Sequence, residues 1–135
     1  MNDLLEKIDH LGVAVKSIES ALKFYRDTLG IEPTGIEEVP SQKVKVAFLP
    51  VGESNIELLE STTVDGPIAR HIEKRGEGIA HLAFRVNDIE SVIASLKEKG
   101  VRLLSDTAQP GAHGAKIVFI HPKSANGILI ELCER

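Results

Sequence analysis

Residues 8–11 read IDHL, and a closely related pattern, IAHL, returns at residues 79–82. A second pair of stretches follows them, IELLE at residues 56–60 and IELCE at residues 130–134. The His and the Glu are 47 positions apart in the first half and 50 positions apart in the second. Self-similarity at such a period is typical of duplicated supersecondary units, so we expect two related modules in one chain.

Alternation and helical spacing predict the order βαβββ for the first module, about residues 7–60. A strand covers residues 7–15, and Ser17 is placed to cap a helix whose apolar stripe runs to Leu29, with Gly30 as its stop. Three further strands are expected near residues 31–39, 44–51 and 55–60.

The second module, about residues 79–135, is expected to repeat that order. Asn87 or Asp88 can cap its helix and Gly100 can end it. Its strands are predicted at residues 79–86, 101–104, 116–121 and from the turn at 122–127 to Cys133. A linking segment, about residues 61–78, should contain a short helix from Pro67 to Arg75. The fold class is therefore α+β, a single domain over residues 1–135 built from two βαβββ modules in tandem.

Composition excludes several function classes. A net charge of −4 and an isoelectric point near 5.7 give no basic footprint for nucleic acid. The charged stretch of residues 1–7 does not resemble a signal peptide, and no apolar run is long enough to span a membrane. The lone Cys133 cannot form an internal disulfide, so we expect a cytoplasmic protein.

The repeated His and Glu residues predict a metal site. His10, Glu57, His81 and Glu131 would lie on the inner faces of two curved, cupped mixed sheets, because side chains of one parity face the same way. Each alone has an ordinary structural explanation, but four at repeat-matched positions favour one shared cation. Two imidazoles and two carboxylates suit Co, Ni, Zn, Mn or Fe(II), and the oxygens also admit Mg.

The chain resembles the methylmalonyl-CoA epimerase family of the vicinal-oxygen-chelate (glyoxalase) superfamily. The resemblance is carried by IDHLGVAV, QKVKVAF, NIELLE, GEGIAH and FIHPK, at residues 8–15, 42–48, 55–60, 76–81 and 119–123. It implies the glyoxalase fold, His10, Glu57, His81 and Glu131 as metal ligands, and Co2+ as the favoured ion, with Zn2+, Ni2+, Mn2+ or Mg2+ as alternatives. It also implies a CoA-thioester substrate, a homodimer, and epimerisation at C2 of methylmalonyl-CoA through a metal-stabilised enolate in propionate metabolism.

The resemblance leaves the second proton-transfer residue open. It implies Glu131 as one catalytic group and an acidic residue just before the QKV segment as the other, a position that Ser41 occupies here. Glu38 is our candidate to replace it. The alternatives are Glu37, an ordered water held by Ser41, or reduced activity, and both glutamates can also be plain surface charge.

Two other functions share parts of this pattern. A glyoxalase I-like lactoylglutathione lyase would use the same types of ligand. A non-enzymatic ligand-binding protein of the same superfamily would generally lack the ligand set, so the intact His/Glu/His/Glu pattern disfavours it.

Overall fold

The computed structural model describes residues 4–135, which contain eight β-strands and three α-helices. The chain divides into two units. Residues 10–80 form one, here called the His10 unit, and the residues up to Asp9 with His81–Arg135 form the other, the His81 unit. The elements in chain order are β1 (Lys7–Ala14), α1 (Ile18–Tyr25), β2 (Gly35–Val39), β3 (Val44–Val51), β4 (Ser54–Ser61), α2 (Pro67–Arg75), β5 (Gly78–Arg85), α3 (Ile89–Glu98), β6 (Gln109–Pro110), β7 (Lys116–Ile120) and β8 (Ile130–Glu134).

In the His10 unit, four strands are hydrogen-bonded in the order β2-β3-β4-β1. The outer pair β1 and β4 is parallel, and the other neighbours are antiparallel. A parallel pair needs a long crossover connection, which α1, β2 and β3 together supply. In this unit, β3 spans the eight residues Val44–Val51 that the alternation predicts.

The His81 unit has the same plan, with four strands in the order β5-β8-β7-β6. Its β5 and β8 are parallel, whereas β7 is antiparallel to both β8 and β6. The predicted order βαβββ is therefore confirmed in both halves of the chain.

Side-chain caps fix where the helices begin. The Ser17 hydroxyl accepts the Ser20 backbone N–H at 3.1 Å, and the Asp88 carboxylate, not Asn87, accepts that of Ser91 at 3.3 Å. The linking helix α2 has the predicted bounds, and it ends at Gly76, whose φ of +78° favours a residue without a Cβ. Among residues 4–135, no helix is long and apolar enough to cross a membrane.

The prediction that the first helix continues to Leu29 is wrong. Helix α1 ends at Tyr25, because the following N–H groups of Asp27 and Leu29 bond to carbonyls five residues back, at Leu22 and Phe24. This wider turn releases Leu29 from the apolar stripe, and its side chain is exposed. Gly30 then closes the turn with φ of +79°.

The predicted strand over residues 101–104 is also wrong. Only Leu103 forms a bridge there, opposite Ile120, and the chain turns away before a ladder can form. It returns at Gln109 and Pro110, which pair with the start of β7. Pro110 has no N–H to donate, which suits a two-residue strand at the edge of this unit.

In each unit, the strands bury an apolar core on one face, under the helix of that unit. In the His10 unit, Leu58 packs there with Ala47, Leu49 and residues of α1 such as Leu22. In the His81 unit, Leu132 and Val118 pack against Ile89, Val92 and Ile93. Because neighbouring residues of a strand face opposite ways, Glu57 and Glu131 lie on the other face of the strands in their units.

The second Glu of each repeated IEL-x-E stretch caps a helix. The Glu60 carboxylate accepts the N–H of Ile18 at 2.8 Å, and the Glu134 carboxylate accepts that of Ile89 at 2.9 Å. Each satisfies one of the unpaired donors at a helix start and places a negative charge at the positive end of the helix dipole.

A buried charge cluster ties the N-terminal strand to the C-terminus within the His81 unit. Asp9 is 0% exposed, and its carboxylate lies 2.8 Å from Arg85 Nη2 and 2.7 Å from Arg135 Nη2. A buried carboxylate is tolerated only with such partners, so this cluster holds residues far apart in sequence in one arrangement.

We expect Glu60→Ala or Glu134→Ala to lower the free energy of unfolding by about 1–2 kcal/mol, since each removes a charged cap from a helix start. Urea denaturation measures the change. Glu53→Ala, at an exposed turn position, is the matched control. Equal stability of all three variants and the wild type would contradict a capping role.

We expect Asp9→Asn to lower the free energy of unfolding by about 3 kcal/mol, because it leaves the two arginines facing a neutral buried group. Asp106→Asn removes the same charge from a side chain that is 99% exposed and should change little. If both variants lost a similar amount of stability, the change in net charge, and not the loss of the buried cluster, would be the cause.

Candidate metal centre

His10 and Glu57 form a buried pair in the His10 unit. Glu57 on β4 lies opposite Gly12 on β1, and His10 is two residues before Gly12, so both side chains emerge on the face away from α1. His10 Nδ1 lies 3.2 Å from Glu57 Oε2. The parallel register of β1 and β4 therefore creates this pair.

His81 and Glu131 form the corresponding pair in the His81 unit. Glu131 on β8 lies opposite Ala83 on β5, and His81 is again two residues before that partner. His81 Nε2 lies 3.3 Å from Glu131 Oε1. The duplication therefore extends from the sequence to the strand register.

All four predicted ligand residues are buried, between 2% and 6% exposed. A carboxylate removed from water needs compensation by a positive charge or by hydrogen bonds. In each unit, an imidazole lies next to the carboxylate, and it is positive only when protonated. A divalent cation would supply the charge at any pH at which the imidazoles are neutral.

The chemistry of the donors fits such an ion. Each unit offers one imidazole nitrogen and one carboxylate oxygen, a mixed set suited to first-row divalent metals. The two pairs differ in one respect: Nδ1 of His10 faces its carboxylate, whereas His81 presents Nε2. The nitrogen that does not face the glutamate is therefore Nε2 in His10 and Nδ1 in His81. The two histidines are equivalent in the repeat, but the ring nitrogens that they could offer to a metal ion are not.

A phenylalanine lies beside each glutamate, a feature that the sequence reasoning missed. Phe48 on β3 is opposite Glu57, and Phe119 on β7 is opposite Glu131. The ring of Phe119 also packs edge-on against that of His81, with centroids 5.7 Å apart. A phenylalanine repeated in the strand before each glutamate is the signal that could have revealed this pair.

Glu38 lies on the helix face of its strand. On β2, Glu38 pairs with Lys45, which in turn pairs with Glu60 on β4. Glu60 contacts the start of α1, so this row lies on the helix face, the opposite face from Glu57. Glu38 also lines a groove of about 580 Å³ beside α1, together with Ser17 and Arg26.

Glu37 and Ser41, the other residues considered for proton transfer, lie in different settings. Glu37 is half-buried and pairs with Val46, on the face that carries Glu57. Ser41 is exposed, in the single 3-10 turn Pro40–Gln42 between β2 and β3.

The other histidines have structural settings of their own. His121 Nδ1 accepts the N–H of Lys123 at 3.0 Å, and loss of hydration together with the charges of Arg102 and Lys123 lowers the pKa of His121. Burial also lowers the pKa of His71 on α2. His113 is exposed in a turn with φ of +57°.

Comparison with known proteins places this fold and these residues in a recognised group. The model of the glyoxalase/bleomycin resistance protein/dioxygenase superfamily matches residues 9–119. The chain is 38% identical to the ethylmalonyl-CoA/methylmalonyl-CoA epimerase of Cereibacter sphaeroides, over 96% of this chain and 98% of that protein.

Solved structures agree with the sequence comparison. The methylmalonyl-CoA epimerase of Mycobacterium tuberculosis superposes with a TM-score of 0.95 at 38% identity, covering 99% of this chain and 91% of that one. A methylmalonyl-CoA epimerase in complex with methylmalonyl-CoA and NH4+ gives a TM-score of 0.93 at 37% identity, over 96% and 94% of the two chains. These likenesses confirm the glyoxalase fold.

Relatives with another activity match less well. The probable lactoylglutathione lyase of Synechocystis is 28% identical over 93% of this chain and 92% of that protein.

Proposed function

We propose that this chain interconverts the two C2 configurations of methylmalonyl-CoA. The chain belongs to the glyoxalase/bleomycin resistance protein/dioxygenase superfamily. Within it, the chain belongs to the methylmalonyl-CoA epimerase family. Enzymes of that family are isomerases. The observation that carries the proposal is the pair of buried His–Glu sets, built by the same register in both units. The substrate is drawn from the names of relatives that cover nearly the whole chain.

The proposal includes one divalent cation held by His10, Glu57, His81 and Glu131. Co2+ is the preferred ion on the family resemblance, and Zn2+, Ni2+, Mn2+ and Mg2+ are the alternatives. When bound, the cation supplies Lewis-acid polarisation of the thioester carbonyl, which makes the hydrogen at C2 more acidic. The burial of both glutamates supports this role, because a cation is one of the partners that can compensate a buried carboxylate.

The residues of the chain have three tasks in this scheme. The two histidines and Glu57 hold their positions through rigid strands, which keeps the donor atoms in fixed geometry. Glu131 exchanges a proton with C2 on one side of the substrate, as a general base or acid. Phe48 and Phe119 exclude water beside the two carboxylates, which strengthens electrostatic interactions there.

A glyoxalase I-like lyase is the second candidate. It is supported by the match to probable lactoylglutathione lyases and by the same types of ligand. Identity to these proteins is 25–28%, compared with 38% for the epimerase of Cereibacter sphaeroides, which favours the epimerase.

We expect the metal-loaded protein to interconvert (R)- and (S)-methylmalonyl-CoA and to exchange the C2 hydrogen in D2O. Chelation should abolish exchange, and readdition of Co2+ should restore it, because the cation lowers the barrier to deprotonation by several kcal/mol. Chiral chromatography and NMR measure the two processes. Activity on the methylglyoxal–glutathione hemithioacetal, with none on methylmalonyl-CoA, would establish the lyase instead.

We expect His10→Ala and His81→Ala each to remove all of the bound Co2+ at protein concentrations that saturate the wild type. The loss of a direct ligand should exceed the ~10–100-fold loss in affinity typical of an outer-shell partner. Elemental analysis after dialysis measures the stoichiometry, and His71→Ala on α2 is the control. If each variant instead retained half of the metal, the two pairs would bind ions independently and the shared site would be wrong.

A further inference from the structure

Inversion at a carbon centre removes a proton from one side of the plane that forms and returns one on the other side, a task for which two positioned acid–base groups are suited. Glu131 supplies one in the proposed function, on which this inference rests. We infer that Glu37 is the second group, and that it takes the role for which the sequence alone pointed to Glu38.

The strand register places Glu37 on the face that carries the His10–Glu57 pair. Gly12, Glu57 and Phe48 form one cross-strand row, which ends at Gly35 on β2. Residues directly opposite one another share a face, and so do residues two positions apart on one strand. Glu37 is two positions beyond Gly35, so its side chain emerges on the same face as that of Glu57.

The same register sets the separation of Glu37 from Glu57. Two strand spacings across the sheet and two residues along β2 correspond to about 10 Å and about 7 Å respectively. Together these offsets put the Cα atoms of Glu37 and Glu57 about 12 Å apart. Glu37 therefore lies on the same face as Glu57, two strands away from it.

The surroundings of Glu37 restrict its side chain. Its cross-strand neighbour Val46 and the next residue in that row, Leu59, are 3% and 5% exposed. Val39, on the same face of β2, is also buried. Apolar neighbours on the sheet limit the rotamers open to the half-buried Glu37, which favours a fixed carboxylate over a freely solvated one.

The other two candidates lack this placement. Glu38 lies in the row of Lys45 and Glu60, on the α1 side of the sheet. Ser41 carries a hydroxyl, which is a weaker proton acceptor than a carboxylate at neutral pH. Glu38 is therefore a control of the same chemistry, one residue away on the opposite face.

The experiment compares Glu37→Gln, Glu37→Asp and Glu38→Gln, each loaded with Co2+ and given the (R) and (S) thioesters separately in D2O. Glu37→Gln should interconvert the isomers at least ~100-fold more slowly, the usual contribution of a positioned acid or base. One isomer should still exchange its C2 hydrogen and keep its configuration, because Glu131 still acts on its own side. Glu37→Asp should retain measurable interconversion, and Glu38→Gln should match the wild type.

The outcomes separate this inference from the proposed function. A wild type that exchanges neither isomer would overturn the proposed function itself. An active wild type with an equally active Glu37→Gln variant would overturn the role of Glu37 alone. Loss of exchange from both isomers in that variant, with less bound metal or a lower melting temperature, would assign Glu37 a structural role and also contradict the inference.

Discussion

The alternation of side chains along two equivalent strands is the constraint on which both units depend. In β4, Glu57 of the proposed metal site faces away from the helix, and Glu60, three residues later, faces the helix and caps it. In β8, Glu131 and Glu134 divide the two tasks in the same way. An odd spacing between two glutamates therefore lets a single strand fix a polar site on one side and a helix start on the other.

This division of the strand faces also separates an apolar core from the buried polar groups in each unit. The face opposite the histidines and glutamates carries an apolar core in each unit, and the leucines between the glutamates, Leu58 and Leu132, belong to these cores under α1 and α3. The polar face is satisfied by pairing. Within residues 4–135, the structure has no buried side-chain nitrogen or oxygen that lacks a hydrogen-bond partner. Polar burial of this kind fixes a particular arrangement, because each group is costly unless its partner is in place.

The sequence predicted the features that depend on local pattern. The repeat located the two His–Glu sets, and the prolines and glycines located α2 between Gly66 and Gly76. It failed where the outcome depends on which residues lie opposite one another. Glu37 and Glu38 are adjacent and chemically identical, so only the pairing of β2 with β3 assigns each a face. The contacts of Asp9 with Arg85 and Arg135 span 76 and 126 positions, a separation at which no local pattern operates.

The departures from the repeat are as informative as the repeat itself. A metal ion is spherical, so duplicated modules can supply its ligands in equivalent pairs, and the equivalent registers of Glu57 and Glu131 are consistent with that. A carbon centre undergoing inversion has two different sides and places no such demand on the proton-transfer groups. The halves differ where that asymmetry would be needed: β2 is a five-residue strand that bears Glu37, whereas its counterpart β6 has two residues and no acid. Divergence of the edge strands, with the central strands kept alike, is the expected result when one ion and one chiral substrate share a duplicated scaffold.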